Sequence, residues 1–128
     1  MNIFILIAAI LSFLAIIGHF GMGSKLYMIP ILHSDLEEVP KHVMRSLFHY
    51  MSVYLIVSSY VLFEVYFNLG LMLMSNAKDV LLFIGIIYAG LAIVQIIIAL
   101  ISGIKSGLLK LFQWIFWLLI SLSIFIGI

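Results

Sequence analysis

Two histidines, His19 and His49, are the residues in this chain best suited to chemistry, and a few polar side chains accompany them within otherwise apolar sequence. Neutral imidazoles can ligate a transition metal or haem iron, and an imidazole with its ordinary titration range can relay protons. Ser52 lies one helical turn beyond His49, and Gln113, Lys25 and Arg45 fall near the same level once the chain is laid out as helices. A second group, Tyr60 and Glu64 with Asn68, lies further along, and Glu64 is the acid positioned for proton handling. Three readings of the histidines stay open. The favoured one is that they hydrogen-bond across helices and lock packing; the others are ligand, haem or metal binding by His19 and His49, and proton transfer.

Catalytic patterns are otherwise missing. No glycine-rich phosphate loop, nucleophile elbow, paired-carboxylate spacing or His-Glu-x-x-His helix occurs, and Ser52 beside His49 is a commonplace helix pairing. A non-enzymatic protein is expected. Cysteine is absent, which excludes disulfides and thiolate metal sites, and the cluster holds no carboxylate at the histidines' depth to complete a zinc ligand set. No cofactor is the expected state, with haem or a metal on His19 and His49 as the alternative. The acidic group Asp35, Glu37 and Glu38 reads as a solvated face.

The elements that position these residues are set by composition: 66% of the 128 residues are hydrophobic and only 9% charged. A spanning helix needs roughly 20 apolar residues, because the hydrocarbon layer is about 30 Å thick and each residue rises about 1.5 Å. Four stretches qualify, at about 2–22, 46–70, 80–103 and 108–128. They run continuously rather than alternating, so helices are expected and barrel strands are not. The first stretch lacks the basic start and small-residue cleavage site of a signal peptide and is taken as a span. The expected fold is an all-α, up-down four-helix integral membrane bundle forming one domain over 1–128.

Orientation follows from the basic residues. Lys25, Lys41, Arg45, Lys105 and Lys110 lie at the first and third connections and only Lys78 at the second, which places both termini outside. The long first connection, about 25–44, is expected to carry a short interfacial helix opened by the Ser34-Asp35-Leu36-Glu37 capping box and stopped at Pro40, with Tyr27, Met28 and Ile31 dipping into the interface. Ser75 and Asn76 are expected to form a turn and cap in the second connection. Met72 and Met74 read as lipid-facing filler, and Trp114 and Trp117 as interfacial anchors.

Helical spacing picks out inward faces. On the first helix Ala8, Ser12, Ala15, His19 and Gly23 form a small-residue stripe; on the second, His49, Ser52, Ile56, Tyr60 and Glu64; on the third, Tyr88, Ala92, Gln95, Ala99 and Ser102; on the fourth, Gln113 and Trp117. Lys25 and Arg45, at the edge of the His19 group near the headgroups, could hold an anionic lipid phosphate.

His19-x-x-x-Gly23-Ser24-Lys25 with Pro30, then Arg45, Phe48-His49 and Ser52, then Phe112-Gln113-Trp114, resembles the motif set of a family of small, uncharacterised bacterial four-helix integral membrane proteins. Two positions depart from its pattern: Ser24 stands where an acid is usual and Phe48 where tryptophan is usual. The resemblance covers most of the chain and implies a multi-pass protein of the bacterial inner membrane, but no activity. The size of the chain adds an expectation of a homo-oligomer or a place in a larger membrane complex, with the lipid bilayer as surroundings. The net charge of +1 and the lack of a basic run exclude nucleic acid as a partner. The function these readings favour is that of a binding or accessory component. The alternative is a small homo-oligomeric proton-coupled transporter built on Glu64 and Tyr60.

Overall fold

A computed structural model describes residues 2–70 and 76–128, and among these every regular element is helical. Helix α1 (Ile3–Gly18) passes without a break into a π-helical segment (His19–Met28) and then α2 (Ile29–Leu32), giving one 30-residue helix. After a short turn come α3 (Glu38–Phe67), α4 (Ala77–Ile101), the single turn α5 (Gly107–Lys110) and α6 (Gln113–Gly127). Three helices, Ile3–Leu32, Glu38–Phe67 and Ala77–Ile101, are long and apolar enough to cross a membrane, while the apolar α6 has 15 residues. Their outer surfaces carry large apolar side chains such as Ile10, Ile17, Ile93 and Ile97. A water-facing protein does not tolerate apolar patches on that scale, so this surface fits a membrane protein.

The first connection differs from its sequence reading. No separate interfacial helix forms: Tyr27 and Met28 belong to the π segment and Ile31 to α2. The glycines at 21 and 23 look like an end, but a π turn, with its i to i+5 bonding, keeps the helix going; Ile29 N–H donates to the Ser24 carbonyl. Pro30 supplies a reason for the wide turns, because it has no N–H to return to the preceding turn and its ring displaces a carbonyl there. Ser34 does not cap a helix; its hydroxyl donates to the Ile31 carbonyl at 2.6 Å. Pro40 does not stop one either. It is the third residue of α3, in the first turn, where backbone N–H groups lack intrahelical partners and proline costs nothing. The expected turn residue Ser75, with Met72 and Met74, lies outside the described residues. Asn76 precedes α4 and pairs with Asp79.

Small residues set the packing. Ala8, Ser12, Ala15 and Gly23 are buried along the first helix, as their spacing suggested, and Ala8 and Ser12 are fully enclosed. Gly85 on α4 lies so close to α6 that a Cβ there would sit 2.9 Å from Phe125 and 3.2 Å from Ile124. Ser121 on α6 donates to the Gly85 carbonyl across that contact at 2.9 Å. At the centre Tyr88 of α4 is fully buried, and its hydroxyl meets Ser12 of α1 at 3.0 Å and Ser58 of α3 at 2.8 Å. One hydroxyl thereby ties three helices. The chain ends meet as well, with Asn2 Nδ2 donating to the Gly127 carbonyl at 2.9 Å.

The inward face of α3 is not the one chosen from its polar residues. Ser52, Leu55, Ser58, Ser59, Leu62 and Glu64 are buried, whereas His49, Ile56 and Tyr60 are exposed. The serines turn inward because their small size lets the helices approach closely, and Leu55 and Leu62 fill the space between them. Helix α3 ends at Asn68, whose left-handed conformation (φ 52°) closes it while its N–H donates to the Glu64 carbonyl.

Candidate functional site: a neutral cavity beside His19

The π segment widens the first helix beside the start of α6, and a cavity of about 510 Å³ lies between them, walled also by α3 and α4. That volume falls in the range of small-molecule sites, roughly 300–1,000 Å³. Apolar and aromatic groups dominate the walls, among them Leu14, Phe48, Leu91, Phe112, Phe116 and Trp117. The polar side chains at its surface are His19, Tyr27, Gln95 and Gln113, and no charged side chain lines it among the described residues. The rim residues Met22, Leu26 and Val94 are exposed, so the cavity communicates with the apolar outer surface of the helices.

His19 is held by α3. Its ring stacks on Phe48 with centroids 3.9 Å apart and planes at 17°, and its Nε2 lies 2.9 Å from Ser52 Oγ and 3.1 Å from the Phe48 carbonyl. A carbonyl can only accept, so Nε2 carries the hydrogen and points it between the two oxygens, while Ser52 donates to the same carbonyl at 3.2 Å. This tautomer makes His19 a donor toward Ser52. It is not poised as a base that would take the serine proton, and Nε2 is committed to the protein. The edge of Phe48 also reaches Gly23, where an added Cβ would stand 3.3 Å from its Cε2, so glycine leaves room for the ring that seats His19.

At the opposite wall Gln113, the first residue of α6, donates through Nε2 to Tyr27 Oη at 3.0 Å. Its Oε1 is buried with no hydrogen-bond partner among the described residues. Trp114 is not a free anchor: its Nε1 donates to the Leu108 carbonyl at 2.9 Å and closes the α5–α6 bend. Trp117 stacks near Tyr88 at 5.8 Å, linking the cavity wall to the central hydroxyl network.

The structure therefore divides the residues singled out from sequence. His19, Ser52 and Gln113 come together around or behind the cavity. His49, Arg45 and Lys25 are exposed and line none of it. The His19–His49 ligand pair does not assemble in this arrangement, because His49 points outward beside Phe48 while His19 Nε2 is bound on the inner side. Tyr60 is exposed and Glu64 buried, so these two, one turn apart, meet different surroundings. No group of three or more His, Cys, Asp or Glu side chains able to hold a metal ion occurs among the described residues. Sequence reasoning passed over Tyr27 and Phe48 as parts of the site. Tyr27 had a signal, since 19, 23 and 27 recur at steps of four, which is the stripe a widened helix keeps on one side.

No family model matches the chain, and neither a curated protein nor a solved structure is significantly similar to it.

Proposed function

We propose that this chain is a multi-pass inner-membrane binding component of four spans that takes an apolar ligand from the bilayer into the cavity beside His19. The observation that carries the reading is the cavity itself: aromatic and aliphatic walls, four polar side chains from three elements in the lining, and a rim of exposed apolar residues. Such a pocket, apolar with a few convergent polar groups, is the expected form of a small-molecule site. Its position supports an orientation with the cavity in the cytoplasmic leaflet, since Lys25, Arg45, Lys105 and Lys110 belong to the same end of the helices and basic residues favour that side. The fourth span would be the 108–128 region, whose helical part α6 is short and is extended by α5. Both termini then face outward.

Of the residues that carry the family resemblance, His19, Gly23, Phe48, Ser52 and Gln113 gather at this one place while Lys25, Arg45 and His49 stand outside it, and the gathered group supports keeping the resemblance in the proposal. A binding role in a homo-oligomer or larger assembly follows from the small enclosed volume, and it leaves the histidine as a positioning group rather than a catalyst.

Native mass spectrometry of the protein released gently from its own membrane tests the reading. A defined added mass is expected, and it should disappear in Gly18→Leu, because Gly18 lines the cavity and an added Cβ there meets nothing within 4 Å. A bare protein in that spectrum, or an added mass indifferent to Gly18→Leu, would remove the cavity as the binding site.

A further inference from the structure

We infer that the ligand's head is neutral and presents a hydrogen-bond donor beside an acceptor, as a carboxamide does, and that Gln113 and Tyr27 read it; this rests on the cavity being the binding site. A buried polar atom without a partner keeps its full desolvation penalty, so such atoms are uncommon unless something else satisfies them. Gln113 Oε1 is one: the atom itself is enclosed, while its residue lines the cavity.

The side chains offer a matched pair. With Gln113 Nε2 donating to Tyr27 Oη at 3.0 Å, the tyrosine hydroxyl hydrogen is left to donate and Gln113 Oε1 is left to accept. The oxygen and nitrogen of a glutamine amide are assigned from their surroundings, so the flipped arrangement must be weighed too. In it Tyr27 donates to Oε1, leaving Nε2 as the donor and the tyrosine oxygen as the acceptor. Either way the Gln113–Tyr27 pair holds one unused donor next to one unused acceptor, which a head in the cavity reaches once the soft terminal torsion of the amide turns toward it. A head complementary to that pair carries an acceptor next to a donor.

Charge narrows the class. The lining holds no Lys, Arg, Asp or Glu among the described residues, and Lys25 and Arg45 stand outside on exposed positions. An ionised phosphate or carboxylate in this cavity would lose its hydration with no counter-charge, which is prohibitive in an apolar site. The remaining walls, including Phe48, Phe112, Phe116 and Trp117, suit an alkyl or other apolar body.

Trp117 reports on occupancy from within the wall, and Trp114, which closes the α5–α6 bend and lies outside the lining, is kept as a constant background. Three bromine-bearing probes with the same chain are titrated into the full-length protein in micelles: dibromostearamide, dibromostearyl phosphate and dibromo-octadecane. Quenching by the amide is expected at the lowest concentration, with the phosphate at least about tenfold weaker. Gln113→Leu and Tyr27→Phe should each weaken the amide roughly tenfold, as loss of one buried hydrogen bond does, and leave the alkane unchanged. The unchanged alkane shows that the variants keep the cavity. Equal quenching by all three probes, a preference for the phosphate, or amide binding untouched by both variants would overturn the head-group assignment while the cavity stands. No quenching by any probe would instead sink the cavity reading on which it rests.

Discussion

Replacing Tyr88 by phenylalanine removes a single oxygen that joins α1, α3 and α4, and its cost can be worked out from the contacts. Two hydrogen bonds are lost, to Ser12 at 3.0 Å and to Ser58 at 2.8 Å, with the ring left in place between Tyr54 and Trp117. Side-chain hydrogen bonds between membrane helices average about 0.6 kcal/mol, so two contribute roughly 1.2 kcal/mol. Both serines keep a fallback: Ser58 already donates to the Leu55 carbonyl at 3.2 Å, and helical serines bond their own backbone readily. A loss of about 1 kcal/mol is therefore expected for Tyr88→Phe, measured as reversible unfolding in mixed micelles of increasing denaturing detergent. Ser12→Ala should cost about half as much. Because Tyr88→Phe has already broken the Ser12 bond, the double variant should be no less stable than Tyr88→Phe alone, a coupling of about 0.6 kcal/mol. Strict additivity of the two substitutions, or a Tyr88→Phe cost below about 0.3 kcal/mol, would refute the claim that this hydroxyl organises the three helices behind the cavity.

The seat of His19 gives a second expectation: nitrogen-detected NMR should find the hydrogen on Nε2, and Ser52→Ala should cost under about 1 kcal/mol because the Phe48 carbonyl still accepts it. A hydrogen on Nδ1 instead would reverse the donor assignment. Gly107→Ala is expected to be severe, since its Cβ would strike the backbone carbonyl of Ala99, whereas Gly90→Ala faces open space and should stabilise α4 by up to about 1 kcal/mol. Similar melting temperatures for the two variants would contradict that contact. His49→Ala should change stability by no more than about 0.5 kcal/mol and leave ligand capture intact, given its exposed position; loss of the ligand in that variant would bring His49 back into the site. Glu64→Gln should likewise leave the added mass in the native spectrum, because Glu64 lies on α3 away from the cavity lining, and its disappearance would tie the acid to binding.

Much of the helical frame was legible in the chain because membrane spans declare themselves by length and apolarity, which need no knowledge of neighbours. The stripe Ala8, Ser12, Ala15, His19 and Gly23 was legible for the same kind of reason: side-chain size and helical period fix which face permits close approach, and its members are buried or half-buried. The inward face of α3 was not. Lipid is as apolar as leucine, so hydrophobicity does not mark the outside, and a face chosen by its polar residues alone takes His49 and Tyr60 and misses Leu55 and Leu62. Only the tertiary structure decided that Pro30 and the glycines widen a continuous helix instead of ending it, that Phe48 stacks under His19, and that Gln113 meets Tyr27 across 86 positions of sequence. Composition and period are properties of single segments, while a cavity is the space that several segments fail to fill, and that depends on how they lean against one another.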